Sequence, residues 1–282
     1  MALNYPAYAT VAVTAVAGLC ATLPLAAGEM KMELDCTANA RLLDTHFGRY
    51  GSAAAKTIAR DAKGTVGFRL PAAKDLGQHG LYSYIVLAGD FEVSATYEWI
   101  DVTPPQIGYG AGCGIAVDTG GGGVMVSLAR THFADKDKGP GYGVTVGRSA
   151  GTEVDYKTQY FYSKATRGRL VLRREKGELI CLTADGPKGE LEERCRVDYP
   201  DGTVRQVRFF ADTGGSPTAL DARLGQIRVR ADEVTGGFPR SEQPRAIPWW
   251  LIVAVSLLIV AIALFFVRRR LQGHWGWSSR DG

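Results

Sequence analysis

Apolar and polar residues alternate with a period of two along much of the chain, and that spacing predicts strands. In Phe91–Trp99 the residues Phe91, Val93, Ala95, Tyr97 and Trp99 fall on one face, with Glu92, Ser94, Thr96 and Glu98 on the other. Successive side chains of a pleated strand point to opposite faces, so such a segment is half buried. The same alternation sets Leu170 and Leu172 against Arg169, Val171 and Arg173, and Val207, Phe209 and Ala211 against Gln206, Arg208 and Phe210. It also sets Ile227, Val229 and Ala231 against Gln226, Arg228, Arg230 and Asp232. Further strand-like runs are Gly114–Asp118, Val124–Arg130, Tyr142–Gly147, Asp155–Ser163, Leu179–Thr183 and Glu192–Asp198.

Turn residues punctuate these runs: Pro104-Pro105, Gly120–Gly123, Gly139-Pro140-Gly141, Lys176-Gly177, Asp185-Gly186-Pro187, Asp201-Gly202 and Gly214-Gly215. The clearest hairpin is Arg169–Glu175, a turn at Lys176-Gly177, then Glu178–Thr183, with Leu170 and Leu172 inward and the arginines outward. Helical spacing is weak in this part of the chain, where Ala53–Arg60 offers a turn or two at most. Many short strands with regular turn signals predict an all-β fold, a jelly-roll-like antiparallel β-sandwich.

One run breaks the pattern. Trp249–Val267 reads WWLIVAVSLLIVAIALFFV, with Ser256 its only polar side chain. As a helix these residues reach roughly 28 Å, close to the hydrocarbon thickness of a bilayer. Two tryptophans flank one end and Arg268-Arg269-Arg270 the other, which predicts a single C-terminal transmembrane helix with its short tail on the cytoplasmic side. At the other terminus, the apolar stretch Thr10–Ala27 ends in Ala26-Ala27-Gly28, small residues suited to cleavage before Glu29. No Lys or Arg precedes that stretch, and Leu19 before Cys20 disfavours lipidation, so an uncleaved first span is the rival to a signal peptide. The expected organisation is a signal peptide 1–28, an N-terminal segment 29–63, a sandwich ectodomain 64–238, a linker 239–248, a transmembrane helix 249–267 and a tail 268–282.

Charge then changes the picture of partners. The formal net charge is +4; the tail carries four Arg and one Asp, hence +3, and residues 1–28 carry no charge, so the rest sums to +1. The basic balance belongs to the anchor's inner flank, and nucleic acid is not expected as a partner. Of five cysteines, Cys20 falls in the signal; Cys36, Cys113, Cys181 and Cys195 remain as disulfide candidates in a permissive compartment. Sequence does not choose among their three pairings or exclude four buried thiols, although Cys181 with Cys195 is the most local pair. There is no CxxC, and the four histidines, His46, His79, His132 and His274, are scattered, so no zinc site is read.

Three phrases carry a resemblance. "GRLVLRREKGELICL" around Gly168–Leu182 resembles the central hairpin of laminin-G-like and concanavalin A-like sandwiches. "GDFEVSATYEWI" at Gly89–Ile100 and "VRFFADTGGSPTALDARLGQIRVRADE" at Val207–Glu233 resemble their back-sheet and closing strands. The same phrases are similar to a family of planctomycete bacterial proteins. The resemblance covers roughly Gly64–Glu233 and implies fold; function has to come from a site grafted onto it.

Relatives of this sandwich include polysaccharide hydrolases, which need two carboxyl groups about 5–5.5 Å apart for retaining chemistry. The E-x-D-x-x-E pattern of the laminarinase-like branch is absent. Glu92 and Glu98 share a face but stand about 20 Å apart along one strand, and Asp101 completes no such motif. Neither H-E-x-x-H nor G-x-S-x-G occurs, and Gly120–Gly123 leads into a strand where a phosphate loop would lead into a helix. Calcium is a low-ranked candidate cofactor, with Asp118, Asp135, Asp137, Asp212 and Asp221 in or near loops. Tyr82, Tyr84, Tyr109, His132, Phe133, Tyr142, Tyr160 and Tyr162 are candidates for a sugar platform. If their strands are neighbours, Arg169, Arg173, Arg208, Arg228 and Arg230 form one basic face able to meet acidic glycans or an envelope protein. The expected function is therefore a membrane-anchored, non-catalytic carbohydrate- or protein-binding module at the bacterial cell envelope. A hydrolase with an unrecognised acidic pair and an envelope structural or sensory subunit are the alternatives.

Overall fold

The structure is a computed structural model, which describes residues 32–236 apart from 53, 74–75, 121–122, 151–152 and 200–202. Two antiparallel sheets pack face to face. The back sheet runs β13 (Glu192–Asp198), β12 (Glu178–Asp185), β11 (Arg167–Glu175), β6 (Ile85–Val102), β15 (Leu220–Gly236), β4 (Val66–Leu70) and β3 (Ile58–Arg60), with β1 (Met32–Asp35) also paired to β15. The front sheet runs β10 (Glu153–Tyr162), β9 (Pro140–Ala150), β8 (Val124–His132), β7 (Ala111–Asp118), β14 (Gln206–Asp212), β5 (His79–Ser83) and β2 (Phe47–Tyr50). Two short helices, α1 (Arg41–His46) and α2 (Ala54–Thr57), sit between the early strands.

The connectivity is that of a jelly roll. β7 to β10 form a meander in the front sheet, and β11 to β13 form another in the back sheet. The late strands β14 and β15 then insert beside β7 and β6, in the middle of each sheet. β1, β2 and β3 belong to the sheets, so the sandwich includes strands well before Gly64, from Met32 onward. β1 and β2 find their partners far along the chain, in β15 and β5, and β3 is only three residues long, which is why local spacing did not reveal them.

The alternation predicts the interior well. Phe91, Val93, Ala95 and Tyr97 of β6 and Leu170 and Leu172 of β11 are buried, as are Val207, Phe209 and Ala211 of β14 and Ile227, Val229 and Ala231 of β15. Each large apolar side chain removed from water in this way contributes about 1.5–3 kcal/mol. The hairpin of β11 and β12 closes at Lys176 and Gly177, with φ of 52° and 85°, the two left-handed residues that a tight turn between twisted strands requires.

At one end the core turns polar. Arg130 is 1% exposed, and its Nε and Nη2 donate to the carbonyls of Ala165 and Ser163, each at 2.9 Å. Its guanidinium lies 4.3 Å from the Trp99 ring centroid and 5.4 Å from that of Tyr142, an arrangement that attracts a cation to the ring faces. The Tyr97 and Tyr142 hydroxyls meet at 2.7 Å, and Tyr142 also donates to Asp185 at 2.6 Å.

The four cysteines among the described residues, Cys36, Cys113, Cys181 and Cys195, are free thiols. Cys181 of β12 and Cys195 of β13 are direct cross-strand partners. Cys36 and Cys113 are buried. Among the described residues no helix is long and apolar enough to cross a membrane; the run 249–267 and the segment 1–28 lie outside them.

Candidate functional site

The outer face of the front sheet carries a trough, and its floor follows from residue size. Outward positions of β7 are Gly112, Gly114 and Ala116; those of β8 include Ser127 and Ala129; those of β9 include Gly141 and Gly143. Strand register lines these residues up. One row across the sheet reads Tyr160, Gly143, Ala129, Gly114, Phe210, Gly80, Tyr50. The row beside it reads Thr158, Thr145, Ser127, Ala116, Arg208. Three adjacent strands thus present almost no side chain between Tyr160 on β10 and Phe210 on β14. With strands about 4.8 Å apart, those two walls stand roughly 19 Å from each other. The resulting cavity measures about 790 Å³, within the range of roughly 300–1,000 Å³ usual for small-molecule sites.

Two glycines show why the floor must stay bare. A Cβ on Gly114 would lie 2.6 Å from the Leu128 carbonyl oxygen, and one on Gly112 would lie 2.0 Å from that of Arg130. Both contacts are backbone and cannot yield by a side-chain movement.

Aromatic rings form the wall on the β10 side. Phe133 and Tyr160 meet edge to face at 4.9 Å, with Phe133 over Gly143 and Tyr160 over Gly141. The Tyr160 hydroxyl is tied to the carbonyl of Lys138, which fixes the ring. Tyr156 covers Gly147 on the same side. Opposite, Tyr109 donates to Asp212 at 2.7 Å, and Asp212 also accepts from the Gly214 amide at 2.8 Å. Arg208 donates to Gln206 and, at 3.3 Å, to Asp118. Asp135, Lys138 and Gln78 complete the polar rim.

Of the aromatic candidates, Tyr109, Phe133 and Tyr160 line this trough. Tyr142 lies in the core, His132 stacks on Trp99 at 6.5 Å, Tyr82 and Tyr84 cover Gly48 at the far edge, and Tyr162 is exposed. Tyr156 and Phe210 were not anticipated. The signal for the floor was present as small residues at alternate positions of three successive strands, which reads as loop-like glycine content unless parity is followed.

The five arginines do not share a face. Arg208 stands on the front sheet in the trough, whereas Arg169, Arg173, Arg228 and Arg230 stand on the outer face of the back sheet. Parity says which side of its own sheet a residue faces, but not which sheet holds the strand. Glu92 and Glu98 also lie on the back sheet, engaged by Arg173 and Arg167 at 2.8 and 2.6 Å.

The aspartates named for calcium are dispersed. Asp221 pairs with Arg69, Asp118 with Arg208, and Asp212 with Tyr109. Asp135 accepts from the Asp137 amide and pairs with Lys138; the amide and the ammonium hold its carboxyl below the usual range. Among the described residues no group of three or more His, Cys, Asp or Glu is placed to hold a metal ion. A threonine–histidine pair does assemble in space, with Thr57 Oγ1 2.7 Å from His79 Nδ1 and His79 Nε2 3.0 Å from the Leu76 carbonyl. Both residues are buried, so the contact joins α2 to β5 and offers no accessible nucleophile.

Fold and trough together define an antiparallel jelly-roll sandwich with an open groove across one sheet. The chain belongs to the family described as "Protein of unknown function (DUF1583) C domain", whose model matches residues 37–246. Among solved structures it is similar to a legume lectin-like domain from Entamoeba histolytica, at 13% identity over 73% of this chain and 96% of that one, with a TM-score of 0.48. It is also similar to a β-glucanase of Bacillus licheniformis, at 12% identity over 71% and 96%, with a TM-score of 0.44. A functionally unknown protein from Saccharomyces cerevisiae matches at 14% identity over 70% and 99%, with a TM-score of 0.46. No curated protein matches the chain. A sandwich shared at such distance does not say what is bound.

Proposed function

We propose that the chain is a non-catalytic carbohydrate-binding protein whose front-sheet groove holds the saccharide. The observation that carries this reading is the side-chain-poor floor between the Phe133–Tyr160 wall and Phe210, with hydroxyls, amides and charges confined to the rim and the second row. A saccharide ring has apolar C–H faces and a polar edge, so it suits flat aromatic walls with hydrogen-bonding groups around them. Thr145 and Thr158, whose hydroxyls meet at 2.9 Å, together with Ser127 and Gln78 supply neutral donors and acceptors.

Lack of catalysis is part of the proposal. Asp135 and Asp212 are the carboxylates on the groove. Asp135 is held below the usual carboxylate range by the Asp137 amide and Lys138, so at neutral pH it has no proton to donate as a general acid. Both oxygens of Asp212 already accept from Tyr109 and Gly214.

The setting proposed is the outer side of a bacterial membrane. Support comes from the run Trp249–Val267 followed by three arginines, the cleavable-looking N-terminus, and the phrases similar to planctomycete proteins. A glycan array probed with the full-length chain in non-ionic detergent tests the function. Saccharide binding should fall at least tenfold in Tyr160→Ala. An array with no ligand, or a ligand held equally well by that variant, defeats the reading.

A further inference from the structure

The back sheet carries a second, smaller site, and its charges fall in rows set by strand register. One row crosses four strands as Arg173, Glu92, Arg230 and Glu33, a strict alternation of sign. Glu92 accepts from Arg173 at 2.8 Å, and Glu33 accepts from Arg230 at 3.0 Å. The next row reads Val171, Ser94, Arg228 and Asp35, with Asp35 accepting from the Arg228 Nε at 2.9 Å.

The third row breaks the pattern. It reads Arg169, Thr96 and Gly225, with no acidic side chain opposite Arg169. Among the described residues Arg169 alone of these four arginines makes no ion pair: its Nη2 donates to the Gly189 carbonyl at 2.8 Å, and its buried Nε has no hydrogen-bond partner. Directly across, the register of β15 slips between Gly225 and Arg228, and Gln226 adopts a φ of 46°. A left-handed conformation is unfavourable for a residue with a side chain, and a bulge of this kind redirects the side chain it carries. The gap at Gly225 and the redirected Gln226 open a cavity of about 300 Å³ whose lining includes Ser94, Thr96, Arg169, Gln226 and Arg228, together with Glu92, whose charge is engaged by Arg173.

We propose that this cavity is an anion site, on the sheet opposite the groove, that takes one carboxylate or sulfate substituent of an acidic polysaccharide. Arg169 supplies an unpaired guanidinium. Arg228 is tied to Asp35 through Nε, which leaves its terminal nitrogens as donors. Two guanidinium groups converging on one planar or tetrahedral oxyanion give charge-assisted, multiply hydrogen-bonded recognition. Ser94, Thr96 and Gln226 add neutral groups that pair with sugar hydroxyls beside the charged substituent. A small cavity that sets the Ser94 and Thr96 hydroxyls beside two guanidinium groups fits one charged substituent of a saccharide better than a run of acidic peptide side chains.

The test is fluorescence polarisation with the full-length chain in non-ionic detergent. The probes are labelled oligogalacturonate, a sulfated oligosaccharide, a neutral oligosaccharide and a polyglutamate peptide. Binding of either acidic oligosaccharide, weakening as salt is raised, is expected, and the arm that binds identifies carboxylate or sulfate. Arg169→Gln should weaken it at least tenfold, and Ser94→Asp, which places a negative charge on the cavity floor, should abolish it. Arg69→Gln removes an equal charge elsewhere on the same sheet and should change nothing. The proposal is overturned if neither acidic probe binds, if the neutral probe or polyglutamate binds as tightly, or if Arg169→Gln and Arg69→Gln behave alike. Because the groove lies on the other sheet, a neutral groove ligand should not compete, so the two sites succeed or fail separately.

Discussion

Cys113 tests the parity on which the groove rests. It sits on β7 between Gly112 and Gly114, so if those glycines pave the groove floor its thiol must point into the core. Burial there pushes the thiol from 9.0 up to about 12. A folded-state value raised above the unfolded one gives a contribution that is fully present below pH 9 and is lost as pH rises towards 12. At pH 10 the unfolded thiol is about nine-tenths ionised and the folded one is neutral, so unfolding gains about 1.4 kcal/mol from this group. Cys113→Ala removes that gain along with the thiol. Its small void costs on the order of 1 kcal/mol at every pH, and this offset cancels in the comparison. Urea unfolding of wild type and variant, followed by tryptophan fluorescence under reductant at pH 7.5 and 10, measures the difference. Wild type should lose about 1.4 kcal/mol more than Cys113→Ala between the two pH values. Parallel losses would mean an accessible thiol, and the parity of β7 that places bare glycines on the groove would be wrong.

Three further outcomes follow from named contacts. Ala129→Trp, which fills the groove floor from an outward position, should abolish saccharide binding while shifting unfolding free energy by no more than about 1 kcal/mol; retained binding in a folded variant would place the ligand elsewhere. In the buried pair, Tyr97→Phe should cost about 1 kcal/mol and Tyr142→Phe about 1.5–3 kcal/mol, because only Tyr142 also donates to the Asp185 carboxylate; urea denaturation giving the reverse order contradicts that assignment. The Cys181 thiol hydrogen-bonds Cys195 and lowers its pKa, so mild oxidation should join these two, leaving Cys36 and Cys113 to alkylate only after denaturation. Peptide mapping that finds Cys36 linked to Cys113 would be inconsistent with their burial.

The sandwich was legible because a half-buried strand writes its parity into the chain: Phe91 to Tyr97, Leu170 to Leu172 and Val207 to Ala211 all face as their alternation predicts. The early strands were less legible. β2 and β5 are short and pair with each other through Gly48 and Gly80, whose bare positions are covered by Tyr82 and Tyr50. Glycine there is a packing device, an aromatic ring lying over a cross-strand gap, yet in isolation it reads as a turn. The groove escaped for the same reason. Gly114, Ala129 and Gly143 carry no chemistry singly, and they form a floor only because register brings outward positions from three strands into one row. The arginine face failed in the opposite way: local parity was right at each position, but strand order sent Arg208 to one sheet and the other four to the back. Within that back face, the placement of Glu92 between Arg173 and Arg230 neutralises what composition alone would count as a basic patch. What survives is the one arginine whose row has Thr96 where the acid would stand and Gly225 where the next arginine would. Sequence can name side chains and their faces, whereas a site is made by which rows those faces share, and on both sheets the row that matters holds a residue with no side chain at all.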